Sequence, residues 1–131
     1  MNRLTVMVVD DNVTFLDLLV RLLKRHDFDA SAFTTPQAAL TAFRKSPGDW
    51  GAVITDQNMP GITGIELVRE LRAIQPTVPC FICTAFAEQL NQDDVRAYGV
   101  KATFAKPLVV GEFINALAHC MKSGREERPS Q

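Results

Sequence analysis

The chain of 131 residues is poor in several things that would settle its class at once. It has only three cysteines, an odd number that makes no disulfide framework and fits a reducing compartment. It has two histidines, His26 and His119, and neither has a Cys, Asp or His at metal-ligand spacing on a shared face, so both are read as surface or helix-end residues. No run of Lys or Arg occurs, and 14 basic against 15 acidic side chains leave a formal charge of −1. That excludes the basic field by which a chain grips a nucleic-acid backbone, and direct DNA binding is not expected. Apolar runs fall far short of a bilayer's width, and the opening "MNRLTVMVVDD" breaks into acids too early for a secretory leader, so a cytoplasmic protein with no membrane segment is expected.

What is present is an ordinary globular balance, 47 % hydrophobic and 22 % charged, at a length suited to one domain. Short apolar runs alternate with amphipathic stretches, the pattern of repeated βα units and a parallel sheet. Strands are expected at Leu4 to Val9, near an edge up to Phe33, at Ala52 to Thr55, in "VPCFICT", and at Ala102 to Ala105. Helices follow each: one from Val13 to Arg25 capped by Asn12, and one opened by Thr35 and Pro36. A third begins at the Thr63/Glu66 capping box, a weak fourth covers Glu88 to Tyr98, and a last carries Val110, Phe113, Ile114, Leu117 and Met121. Cys80 and Cys83 stand three apart in a strand, point to opposite faces, and read as buried structural thiols. Residues 122–131 are polar without apolar period and are expected to be a disordered tail or linker after a domain spanning 1–121.

In a sheet of five βα units every strand ends on the same edge, where ligands bind. Here the residues just past the strands are Asp10 and Asp11, Asp56, Thr84 and Lys106. Two carboxylates about 4 Å apart repel by about 4 kcal/mol at an effective dielectric near 20, so three acids need compensation. A hard divalent cation with oxygen ligands supplies it, and the donor set describes Mg²⁺ and not zinc. The ammonium of Lys106 and the hydroxyl of Thr84 are then suited to hold the remaining oxygens of a phosphoryl group in transfer. No Ser, Cys or His with an adjacent base lies at these ends, which leaves a carboxylate as nucleophile. Asp56 stands alone at a central strand end and is the candidate, with Asp10 and Asp11 paired as metal ligands.

These residues, in "VVDDN", "ITDQNMPG", "CTA" and "AKPL", resemble the receiver domain of bacterial two-component response regulators, over essentially residues 3 to 121. The resemblance implies a flavodoxin-like (βα)5 doubly wound sheet of strand order 2-1-3-4-5. It implies that Asp56 accepts a phosphoryl group from the phosphohistidine of a sensor histidine kinase or phosphotransfer protein. It also implies that Asp11, Asp56 and the Asn58 carbonyl bind Mg²⁺ directly, and that Asp10 does so through water. Lys106 would pair with the phosphoryl group and form a cis bond to Pro107, while Thr84 would swing toward a phosphoryl oxygen and so switch the face of the last two helices. Such a domain is not an enzyme beyond its own phosphorylation and dephosphorylation. An effector domain or protein, and a homodimer formed on activation, are further partners the resemblance leaves room for.

The sequence departs from the family at Thr103, where an aromatic usually stands three residues before the Lys; Phe104 next to it faces the other way. Phe86, two residues after Thr84, sets an apolar ring at the site mouth, where it would govern water access. Each motif alone has a plain reading as a cap, a turn or a solvated lysine. A flavin or nucleotide binder of the same architecture needs a Gly- or Ser/Thr-rich first loop, and here that loop is acidic. An aspartyl phosphatase would space its first two acids by one residue. The remaining rival is a binding module of receiver fold that signals without phosphorylation, for which Thr103 is the hint.

Overall fold

The computed structural model describes residues 4–126. Five strands, β1 (Thr5–Val9), β2 (Asp29–Phe33), β3 (Trp50–Thr55), β4 (Cys80–Thr84) and β5 (Val100–Ala105), form one sheet of order β2-β1-β3-β4-β5. Every neighbouring pair is parallel. This is the flavodoxin-like architecture, with β1 at the point where the strand order reverses. The intervening helices are α1 (Val13–Arg25), α2 (Pro36–Lys45), α3 (Gly64–Ile74), α4 (Gln92–Ala97) and α5 (Val110–Glu126).

Alternation along the central strands divides the core in two. Met7, Val53, Cys80 and Ile82 face α2, α3 and α4, packed under Phe43, Leu67, Leu71 and Val95. Val6, Val8, Ile54, Phe81 and Cys83 face α1 and α5, under Leu19, Leu23, Phe113 and Leu117. Cys80 and Cys83 therefore lie buried on opposite faces, as a spacing of three in a strand requires. Both sides of the three middle strands are covered, which is why their sequences read as continuous apolar runs.

The helix starts are fixed by local chemistry. Asn12 Oδ1 accepts from the Phe15 N–H at 3.1 Å, and Thr35 Oγ1 from the Ala38 N–H at 3.1 Å. At α3 both arms of the Thr63/Glu66 box are made, at 3.2 and 2.8 Å. His26 is the exposed C-cap of α1, and His119 is exposed on α5.

Three expectations need correction. The segment Glu88 to Tyr98 is not one helix but a 3-10 turn, Ala87–Gln89, followed by the short α4 with Asn91 as N-cap. Its two buried anchors, Leu90 and Val95, are five residues apart and cannot share a helical stripe, so the chain breaks between them. β3 and β5 each begin two residues earlier than expected, where Trp50 and Val100 pair with Thr5 and Cys80. Finally, α5 continues to Glu126, through residues 122–126 of the segment read as a tail. A helix anchored by Phe113, Leu117 and Met121 propagates cheaply, and Gly124 alone costs only about 1 kcal/mol relative to Ala. The rest of that segment, 127–131, lies outside the described residues.

Candidate functional site

The sheet delivers the polar groups to one edge by extending its ladders one residue beyond each strand. The Asp10 N–H donates to the Phe33 carbonyl at 3.1 Å, the Asp56 N–H to Val9 at 2.9 Å, and the Lys106 N–H to Thr84 at 3.0 Å. Each backbone is thereby held in strand register while its side chain points over the edge. Asp10 is 2 % exposed, Asp56 9 % and Thr84 1 %, whereas Asp11 is open to solvent.

Carboxylate oxygens of Asp10, Asp11 and Asp56 lie within 4.8 Å of one another, a set that could hold a metal ion. Lys106 Nζ donates to Asp10 Oδ2 at 2.7 Å and lies 3.8 Å from Asp56 Oδ1. The lysine is thus paired primarily with the first acid and only loosely with the candidate nucleophile. The Lys106–Pro107 peptide is cis. Asn58 is exposed in the loop after β3, on the rim of a hollow of about 260 Å³ shared with Gln57, Phe86 and Gln89.

Charge explains the chemistry of this edge. Burial, and next the neighbouring Asp10 carboxylate, raise the Asp56 pKa above its ordinary 3.8. Lys106, the Gln57 N–H at 2.8 Å and the Thr84 hydroxyl act in the opposite direction without prevailing. Three acids face one ammonium, so the site carries excess negative charge that a hard divalent cation would relieve. Oxygen donors alone suit magnesium, and the residues present fit that ion. Cys83 lies beneath the site, but burial pushes its thiol up to about 12 and it offers no thiolate nucleophile.

The family model of the response regulator receiver domain matches residues 6–118. The chain belongs to that family. It is a receiver domain, 32 % identical over 109 residues to a response regulator receiver protein of Anaeromyxobacter sp. (strain Fw109-5) and 33 % identical over 107 residues to the transcriptional regulatory protein CreB of Escherichia coli (strain K12). Those alignments cover 83 % and 82 % of this chain but only 45 % and 46 % of the relatives, so the receiver spans about half the length of the curated relatives it matches. A receiver domain from Clostridium thermocellum superposes with a TM-score of 0.88 at 22 % identity, covering 95 % of this chain and 99 % of that one. A protein from Neptuniibacter caesariensis gives 0.84 at 26 %, covering 99 % of each. No helix among the receiver's described residues is long and apolar enough to cross a membrane.

Against the family's pattern, Thr103 pairs in register with Ile82 on the α3/α4 side, while Phe104 packs under α5 with its ring 5.4 Å from Phe113 and 6.1 Å from Phe81. Phe104 is committed to the core opposite the place an aromatic would take. Three supporting residues were not legible as such. Gln57 Oε1 accepts from the Ile65 N–H at 2.9 Å, tying the loop after Asp56 to the start of α3. Gly64 lies so close that a Cβ there would run into the Asp56 carbonyl oxygen. Phe15 places its ring 4.2 Å from Lys106 Nζ. The "ITG" step into a capped helix hinted at the second; the other two depend on side-chain reach that spacing does not encode.

Proposed function

We propose that this receiver is a phosphoacceptor, with Asp56 taking the phosphoryl group from a phosphohistidine of a sensor histidine kinase or phosphotransfer protein. The observation that supports this best is the gathering of three carboxylates and one ammonium at the ends of β1, β3 and β5, a costly arrangement for a purely structural edge. An Asp56 oxygen attacks phosphorus, the phosphorus–nitrogen bond breaks, and the imidazole leaves with the bonding pair. Lys106, 3.8 Å from Asp56, shifts from Asp10 to a phosphoryl oxygen, and the Thr84 hydroxyl at the end of β4 donates to another. Mg²⁺ held by Asp10, Asp11, Asp56 and the Asn58 carbonyl would neutralise the charge that carboxylates and phosphoryl oxygens bring together.

Recruitment of Thr84 draws the loop after β4 with it, because the Phe86 N–H reaches Thr84 Oγ1 at 3.5 Å. That loop leads into α4, so the signal reads out on the α4-β5-α5 face, available to an effector domain or protein or to a second copy. A second reading, a receiver-fold binding module that needs no phosphorylation, is favoured by Thr103 at the usual aromatic position. Intact mass after incubation with magnesium and acetyl phosphate separates them. The phosphoacceptor gains one phosphoryl group and Asp56→Asn gains none; an unmodified wild-type chain supports the binding module.

A further inference from the structure

Four contacts close a loop around the candidate lysine. Asp10 Oδ1 accepts from the Asn12 N–H at 2.9 Å, Asn12 Oδ1 accepts from the Phe15 N–H at 3.1 Å, and the Phe15 ring covers Lys106 Nζ at 4.2 Å. Lys106 Nζ in turn donates to Asp10 Oδ2 at 2.7 Å. The helix cap of α1 and the acid that binds the lysine are thus parts of one connected arrangement. A lysine ammonium has three donors on a flexible four-carbon stem, and two of its directions here meet Asp10 and Asp56. The negative face of the Phe15 ring occupies a third side, where water would otherwise compete for the cation. Only 18 % of the Lys106 side chain remains exposed.

We propose that Phe15 is a positioning residue for phosphoryl transfer, its ring confining the Lys106 ammonium to the space between Asp10 and Asp56 so that only a short shift off Asp10 brings it to an arriving phosphoryl oxygen. The proposal rests on the phosphoacceptor reading above. A purely structural role would be fulfilled by any apolar side chain of similar size, because Phe15 also packs, half-buried, against the α1/α5 core. A positioning role requires an aromatic face.

The test compares the wild-type chain with Phe15→Leu, Phe15→Met and Phe15→Tyr. Phosphorylation is followed by intact mass at increasing acetyl phosphate with magnesium, and the Lys106 Hε resonances are followed by NMR. The Leu and Met variants are expected to lower the maximal rate about three- to tenfold with the half-saturating acetyl phosphate concentration unchanged, and Tyr to stay within about twofold of wild type. The Lys106 Hε protons should be shifted upfield by the ring in wild type and Tyr, and return to ordinary positions in Leu and Met. Leu and Met at wild-type rate, Tyr as slow as Leu, or unshifted Hε protons in wild type would each overturn the proposal. If one apolar variant fails to fold, the other and the wild-type spectrum still decide. A wild-type chain that takes no phosphoryl group removes the phosphoacceptor reading as well, whereas a wild type that takes it alongside full-rate Leu and Met variants removes this inference alone.

Discussion

At the scale of single residues, the balance at Asp56 decides how the site responds to charge. Burial and the Asp10 carboxylate hold its proton more tightly in the folded chain than the ordinary value of 3.8. A folded-state pKa above the unfolded one favours folding in acid, and that contribution is lost as pH rises from about 3.8 through the folded value. Ionised Asp56 is therefore a burden at neutral pH when no divalent cation is present. Asp56→Asn is expected to raise Tm at pH 7 in EDTA by about 2–5 °C, with the gain fading as pH falls toward 4; scanning calorimetry at both pH values checks it. An unchanged or lower Tm at pH 7 would contradict the imbalance. Phe86 is the second residue with a measurable consequence. Half exposed, at 50 %, its ring stands on the rim beside Asn58 and Gln57. Phe86→Glu should admit and orient water and speed loss of the phosphoryl group about fivefold, equivalent to ~1 kcal/mol of barrier; equal decay rates in the two chains would refute it.

At the scale of elements, the positions of the acids depend on how tightly loops return to helices. Gly64 opens α3 directly against the Asp56 carbonyl, and its N–H donates to the Gln57 carbonyl at 3.0 Å. Gly64→Ala must push α3 or the Asp56 backbone aside, a strain of about 3 kcal/mol, so a fall in Tm of roughly 10 °C is expected. Circular dichroism melts would show it, and a Tm within about 2 °C of wild type would mean that the approach is not tight. Much of this scale could be read from sequence. Asn12, Thr35 and the Thr63/Glu66 box name the starts of α1, α2 and α3, because caps are local chemistry. The fourth helix is legible only in part: its apolar residues are too few to mark its bounds, and the Asn91 cap, which sets its start, is the local signal that separates it from the preceding 3-10 turn. Phe15 over Lys106 was out of reach, because it joins residues 91 positions apart through a ring whose direction no pattern records.

At the scale of the whole molecule, the two-faced core separates what is reactive from what is sealed. Cys80 and Cys83 are each raised to about 12 by burial, on opposite sides of the sheet, while Cys120 on α5 is only half-buried. Alkylation of the native chain at pH 8 should therefore modify Cys120 first, and Cys80 and Cys83 only after denaturant is added, as peptide mass mapping would show. Early labelling of Cys83 would mean that the sheet opens beneath the site. The architecture itself was the most legible feature, since parallel strands buried on both faces announce themselves as apolar runs and their common edge follows from right-handed crossovers. The order β2-β1-β3-β4-β5 came from the family resemblance, and it is what brings Asp10 and Asp56 to neighbouring strands.

If the phosphoacceptor reading holds, this edge takes a magnesium ion and a phosphoryl group together. A crystal structure grown with magnesium and beryllofluoride tests it most directly. The metal is expected among Asp10, Asp11 and Asp56, the fluoride adduct on Asp56, and Lys106 moved from Asp10 to a fluorine. The same crystals with the acidic cluster empty, or with the adduct elsewhere and Lys106 still on Asp10, would contradict it.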